Sequence, residues 1–235
     1  MGIHALFDVA AWLVALGALM VLRRSWFRAN PVAQPMRWGY TAAVIFGAGL
    51  GAWILGTANL RLSGIPEFGR SIEGALVGAI LSVELYKWQT GIAARTGAIY
   101  ALPAALGIAV GRIGCQLSGL EDNTYGIPTG GTWGWDHGDG INRHPVAFYE
   151  SGLMVAFVCL YLTMMAAGST RWRDNGFYYF LVTYAVGRFG LEYLKPYATL
   201  LPGLGIFQLT SILLALYAVV MIRTNREWLP LQQRP

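Results

Sequence analysis

Apolar residues along the chain gather into seven runs, at about 5–22, 40–60, 73–90, 98–115, 146–166, 176–195 and 206–222. Each is near the roughly 20 residues that a helix needs to cross a hydrocarbon core about 30 Å thick. Polar positions concentrate between the runs. The pattern predicts an all-α, polytopic membrane protein with seven transmembrane helices in one integral domain, 1–235. Two positions break it. Arg112 sits inside ALPAALGIAVGRIGC and Arg188 inside FYYFLVTYAVGRFGLEYL. A guanidinium at the centre of a membrane helix costs about 2.5–3.5 kcal/mol even on the lenient insertion scale. It persists where a carboxylate or an anionic ligand offsets that cost. Both arginines follow a glycine, which lets another backbone or a ligand come close. An intramembrane anion site is the implication, and a phospholipid phosphate is the candidate anion.

Composition narrows the class. The chain of 235 residues is 55% hydrophobic and 12% charged, against about 25% charged in a globular domain. Little is left over for a soluble domain. Segments after the first, third, fifth and seventh runs hold Arg23, Arg24, Arg28, Arg37, Lys87, Arg95, Arg171, Arg173, Arg223, Arg226 and Arg234. The opposite side holds Arg61, Arg70 and Arg143. Basic loops stay in the cytoplasm, so the N-terminus is expected outside and the C-terminus inside. The first run has no basic segment before it, and its charges follow it. It is therefore expected to be an anchor rather than a cleaved signal. The net charge of +5 reflects basic loops on an anionic leaflet, not a nucleic-acid partner. Cys115 and Cys159 lack CxxC or Cys/His spacing, so no metal site or disulfide framework is expected. Both read as small buried residues, with Cys115 adjoining Arg112.

Several polar positions each allow two readings. Gly111-Arg112-Ile113-Gly114 is either an interfacial arginine snorkelling to headgroups or a bidentate phosphate clamp. Tyr184, Arg188, Glu192 and Lys195 fall on one face of the sixth helix. They make a site wall, or Arg188 and Glu192 only neutralise each other, or Glu192 orients Arg188 while Arg188 binds the ligand. Glu73 opens the third helix as a carboxylate favoured by the macrodipole, or as a general base facing a cavity. Glu84 and Lys87 read as a local ion pair. His144 and Glu150, in His144-Pro145-Val146-Ala147-Phe148-Tyr149-Glu150, are candidates for proton transfer or lid orientation. Asp136-His137-Gly138-Asp139 fits turn chemistry better than a metal. Asp8 is a further intramembrane carboxylate. Gly47, Gly49 and Gly51 suggest a close-packing surface on the second helix. The long segment 116–145, rich in Gly, Asp and Trp, reads as an ordered external lid at headgroup level.

Taken in order, these motifs resemble the bacterial prolipoprotein diacylglyceryl transferase family. Gly111-Arg112-Ile113-Gly114 followed by Tyr125-Gly126 resembles its central signature. His144-Pro145 with Tyr149-Glu150 resembles a second motif. Asn175-Gly176, Tyr184, Arg188, Glu192 and Lys195-Pro196 resemble the sixth-helix pattern, and Gly203-Leu204-Gly205-Ile206-Phe207-Gln208 the turn before the last helix. There are departures. Glu73 stands where the family has a histidine, Cys115 where it has an asparagine, and Ser118-Gly119-Leu120-Glu121 where it has Asn-Gly-Glu. The family's first-helix tyrosine has no clear counterpart. This looks like a divergent member.

The resemblance implies an enzyme that moves the diacylglyceryl group of phosphatidylglycerol to the thiol of a prolipoprotein lipobox cysteine, releasing glycerol phosphate. It implies no cofactor and no metal. Arg112, Arg188, Glu73 and His144 are then the candidate catalytic residues. Tyr184, Glu192, Gly111, Gly114, Tyr125, Gly126, Glu150 and Gln208 are the candidate substrate-binding residues. The implied place is the bacterial inner membrane, with the site towards the external leaflet and the protein a monomer. Two other readings stand beside it: the same lipid donor with a small-molecule acceptor, and a non-catalytic transporter or lipid-binding protein lined by intramembrane charges.

Overall fold

The computed structural model describes residues 2–27, 38–92 and 94–224. Arg28, Arg37, Arg226 and Arg234, used for the orientation above, lie outside the described residues. Seven α-helices occur among the described residues, one on each apolar run. They are α1 Gly2–Arg24, α2 Trp38–Leu62, α3 Ile72–Thr90, α4 Ala101–Leu117, α5 Val146–Ala166, α6 Thr170–Glu192 and α7 Ile206–Thr224. A two-residue hairpin, β1 Trp135–Asp136 and β2 Asn142–Arg143, lies between α4 and α5. Among the described residues, five helical stretches are long and apolar enough to cross a membrane: α1, α2, Ala98–Leu117 (α4 with the 3-10 turn before it), α5 and α7. The other two helices are long enough but carry more charge, α3 at Glu73, Glu84 and Lys87, and α6 at Arg171, Arg173, Asp174, Arg188 and Glu192.

The chain groups into two compact units, residues 1–26 with 97–196, and 27–96 with 197–235. In the first, α1 packs on α4, α4 on α5 and α5 on α6. The polarity is that of a membrane protein. Leu6, Val9, Trp12 and Leu13 of α1 are exposed, while Arg112, Glu150, Arg188 and Glu192 are buried. Apolar side chains turned outwards suit lipid, and ionised ones turned inwards can be paired. Pro103 sits in the first turn of α4, where its missing N–H leaves no hydrogen bond broken. A Cβ on Gly114 would stand 2.5 Å from Cβ of Phe7, so this glycine sets how closely α1 approaches α4. Phe157, Tyr161 and Phe180 form the aromatic core between α5 and α6.

In the second unit α2 packs along α3, and α3 contacts α7. The α2–α3 seam is made of glycine on both sides. A Cβ on Gly51 would lie 2.2 Å from the carbonyl oxygen of Gly74, and one on Gly78 would lie 2.0 Å from that of Gly47. Pairs of glycines four residues apart on facing helices let the backbones touch, and dispersion rather than side-chain volume holds the pair. Gly49 faces open space, so Gly47 and Gly51, without Gly49, make the surface expected from the sequence. Ser71 caps α3 by accepting from the Gly74 N–H at 2.8 Å, and Gly91 closes it in the left-handed conformation at φ 68°. Lys87 donates to Glu84 at 2.9 Å, the local pair expected from their spacing.

Candidate functional site

The first unit holds a buried ion cluster built by α4, α5, α6 and the turn after α6. Glu150 is its centre and is 3% exposed. Its Oε2 pairs with Nε of Arg112. Its Oε1 accepts from Nη1 of Arg188 at 2.8 Å and from Nζ of Lys195 at 3.2 Å. Arg188 turns its second nitrogen, Nη2, to Glu192 Oε2 at 2.7 Å. All five side chains are buried. The two arginines, more than 70 positions apart in sequence, therefore meet on one carboxylate. In these contacts three cations meet two carboxylates.

Tyr184, Arg188 and Glu192 share a buried face of α6 as the spacing predicts, but the helix ends at Glu192, and Lys195, also buried, comes from the turn after it. Tyr184 stacks on Phe180 with ring centroids 6.1 Å apart, one turn from Arg188. The Arg188–Glu192 pair exists, but Arg188 also reaches Glu150, so mutual neutralisation is not its whole role. The hub position of Glu150 was not assigned from sequence, and neither was a carboxylate for Arg112. The signal was present: Glu150 is the one carboxylate inside the run 146–166, and buried charges are paired. Gly114 is fixed by Phe7, whereas a Cβ on Gly111 would meet only Ala11, at an ordinary 3.8 Å.

The segment 116–145 folds on itself. Ile127 N–H donates to the Leu194 carbonyl at 2.8 Å, and His144 N–H to that of Ile127 at 3.1 Å. Gly126 lies against His144, whose carbonyl oxygen would be 2.3 Å from an added Cβ. The guanidinium of Arg143 stands 5.4 Å from the Tyr125 ring centroid. The His144 ring packs edge-on to Trp133 at 5.0 Å and near Tyr149 at 6.4 Å. In the stretch 136–139, Asp136 Oδ1 accepts from the N–H groups of Gly138, Asp139 and Gly140 at 2.8, 3.1 and 3.0 Å. Those carboxylate bonds are turn chemistry. Burial, and after it Arg143, lowers the pKa of His137.

Asp139 and Arg143 close the hairpin through two bonds of 2.8 Å. The hydrogen bond from Arg143 holds the Asp139 carboxyl down at about 2. A depressed carboxylate stabilises above its unfolded pKa, about 3.9, and that contribution fades as pH falls through the folded value. The loop should therefore keep its protection from proteolysis at pH 5 and lose part of it between about pH 4 and 2. Asp139→Asn should remove this acid step. An identical pH profile in the variant would rule the pair out as its cause.

Two candidates lie in the second unit. Glu73 is 1% exposed, and Ser211 of α7 donates to its Oε1 at 2.7 Å. Gln208, also buried, accepts the Gly205 N–H at 2.7 Å through its side-chain oxygen and so ties down the start of α7. Gln208 thus has a structural task that the motif did not reveal. Among the described residues, no group of three or more His, Cys, Asp or Glu is placed to hold a metal ion.

Several helices apolar enough to span a bilayer, with a buried ionic cluster carried largely by three of the seven, define a multi-pass membrane protein. Comparison with known proteins specifies it further. The prolipoprotein diacylglyceryl transferase family model matches residues 2–224, and the chain belongs to that family. It is similar to the phosphatidylglycerol–prolipoprotein diacylglyceryl transferase of Bacillus cereus (strain Q1), at 29% identity over 182 residues, 71% of this chain and 64% of the relative. The proteins of the same name from Bacillus thuringiensis subsp. konkukian (strain 97-27) and Bacillus mycoides (strain KBAB4) are each 28% identical over the same shares. The match thus spans slightly less than two thirds of these relatives' length. No solved structure matches the chain.

Proposed function

We propose that the protein transfers the diacylglyceryl group of phosphatidylglycerol to the thiol of a prolipoprotein cysteine and releases glycerol phosphate. The observation that carries this reading is the convergence of Arg112 and Arg188 on Glu150 in a buried cluster. The thiolate sulfur forms a bond to the diacylglyceryl carbon as that carbon's bond to the phosphate oxygen breaks. Negative charge then develops on the departing phosphate. Prepositioned guanidinium groups in a water-poor site stabilise such charge without reorganising. Glu150, engaged by three cations, holds the guanidinium forks in place rather than taking a proton. Tyr184, Glu192, Gly111, Gly114, Tyr125, Gly126 and Gln208 shape the donor and acceptor sites in this reading, and His144 orients the loop 116–145 as a lid. The test is to incubate the purified protein with phosphatidylglycerol labelled in its diacylglyceryl part and candidate acceptors, and to identify products by mass spectrometry.

The same reading places seven spans in a bacterial inner membrane, with the N-terminus outside, the site towards the external leaflet and the protein a monomer. Its support is the distribution of basic residues. Reporter fusions after Arg95 and after Arg171 should both report cytoplasm, and an external signal from either would overturn the orientation.

Glu73 is the proposed proton acceptor for the incoming thiol. Glu73→Gln keeps the shape and removes the charge. It should cut turnover about 100-fold or more with donor binding retained. A variant that folds and keeps full rate across pH would reduce Glu73 to a helix-terminal carboxylate and move the task to His144. A glutamate in the position that the resemblance gives to histidine also favours a second reading, in which a small thiol, alcohol or amine replaces the lipobox peptide. Competition between a lipobox peptide and small acceptors for the labelled donor separates the two.

A further inference from the structure

Beside the ion cluster, α1 and α4 bring together three groups that the transfer reaction above does not use. Cys115 Sγ lies 3.7 Å from Nε2 of His4. The other ring nitrogen, Nδ1, lies 3.4 Å from Oδ2 of Asp8, one turn further along α1. Nη1 of Arg112 stands 3.9 Å from the same sulfur. This is the order of a nucleophile, a base and a group that orients the base, with a cation next to the sulfur. With Nδ1–H donated to Asp8, the His4 tautomer presents a lone pair on Nε2 to the thiol. The juxtaposition is held by packing, because Gly114, the neighbour of Cys115, allows Phe7 to seat directly on α4. Cys115, His4 and Asp8 are all partly exposed, so a reactant can reach them. Exposed side chains of α1 and of the end of α4 are apolar, Leu6, Val9 and Leu117 among them. In a membrane protein the medium at such a face is lipid, and the electrophilic carbons that lipids present in number are ester carbonyls.

We propose that Cys115, His4 and Asp8 form a second reactive centre, in which the Cys115 thiol takes an acyl group from a lipid ester as a thioester. This centre shares Arg112 with the diacylglyceryl transfer proposed above but uses a different nucleophile and breaks a different bond. His4 Nε2 accepts the thiol proton as sulfur bonds to the carbonyl carbon. Arg112 offers its positive charge to the oxyanion. The ester C–O bond then breaks, and the leaving lipid oxygen takes the proton from His4. The products are S-acyl-Cys115 and a lysolipid bearing a free hydroxyl group. Asp8 is a positioning residue that holds the ring.

The test uses the full chain reconstituted in vesicles of phosphatidylethanolamine and phosphatidylglycerol carrying one defined acyl chain. Two quantities are read: the intact-protein mass with peptide mapping, and the lysophospholipid released. The expected result is one acyl mass on the Cys115 peptide, removed by neutral hydroxylamine, or lysophospholipid release if the thioester turns over. Either signal should vanish in Cys115→Ala and fall about 100-fold in His4→Gln. A lipid-soluble alkylating agent supplies a readout that turnover cannot mask. Cys115 should react faster than the exposed Cys159, and His4→Gln should erase the difference. Wild-type protein with neither an acyl adduct nor lysophospholipid would overturn the proposal. So would a hydroxylamine-stable diacylglyceryl adduct on Cys115, and so would His4→Gln protein that acylates at the wild-type rate.

Discussion

Glu150→Gln should destabilise the protein by about 3–5 kcal/mol, the typical cost of breaking a buried ion pair by removing one partner. Glu150 is the meeting point of Arg112, Arg188 and Lys195. The glutamine keeps the volume but removes the carboxylate charge that all three cations share. Their burial then goes largely uncompensated, and that penalty, rather than the lost bonds themselves, dominates. Thermal unfolding in detergent should show a clearly lower midpoint, and lipid transfer should be lost with it. Added phosphatidylglycerol should raise the variant's midpoint more than the wild type's, because an anion in the cluster replaces part of the missing charge. A midpoint equal to wild type would mean that the cluster does not stabilise the fold and that its charges are compensated elsewhere.

Arg112→Lys and Arg188→Lys should each lower turnover by about 100- to 1,000-fold, the usual cost of removing one prepositioned donor from a developing anion. Geometry is the reason. Arg188 touches Glu150 through Nη1 and Glu192 through Nη2 at once, at 2.8 and 2.7 Å. A lysine ammonium is a point charge and cannot span both while facing a phosphate. Because the positive charge survives, folding should be less affected than in Glu150→Gln. The loss should therefore fall on the rate more than on donor binding. Wild-type rates in both variants would leave the arginines a structural role only.

The helices were legible because lipid imposes a strong rule: apolar runs near spanning length, separated by polar segments, leave few alternatives. All seven runs became helices, although α3 and α6 carry charges that place them outside the apolar spanning set. The site was legible in part. Spacing along one helix put Tyr184, Arg188 and Glu192 on one buried face, because that relation is local, whereas Lys195 joins the cluster from the turn beyond the helix end. The partner of Arg112 was not legible, since Glu150 comes from another helix and only tertiary packing joins them. The approach of His4 to Cys115 escaped for the same reason: the two are 111 positions apart. The glycine seam was half visible. Gly47 and Gly51 could be named, but Gly49 belonged to the same cluster in sequence and only the helix phase excludes it. Gln208 looked like part of a binding motif, and its bond to the Gly205 N–H is a backbone task that no motif reports.

The most direct measurement follows the phosphate and the diacylglyceryl unit separately. Purified protein in vesicles is given phosphatidylglycerol labelled in both parts, with a lipobox peptide as thiol acceptor. Wild-type protein should place the diacylglyceryl label on the peptide sulfur as a thioether and release an equal amount of labelled glycerol phosphate. Arg112→Lys and Arg188→Lys proteins should do both about 100-fold or more slowly. Phosphatidylglycerol left intact in the presence of peptide and small thiols alike, or transfer undiminished in both arginine variants, would contradict a phosphate-binding transferase site centred on these residues.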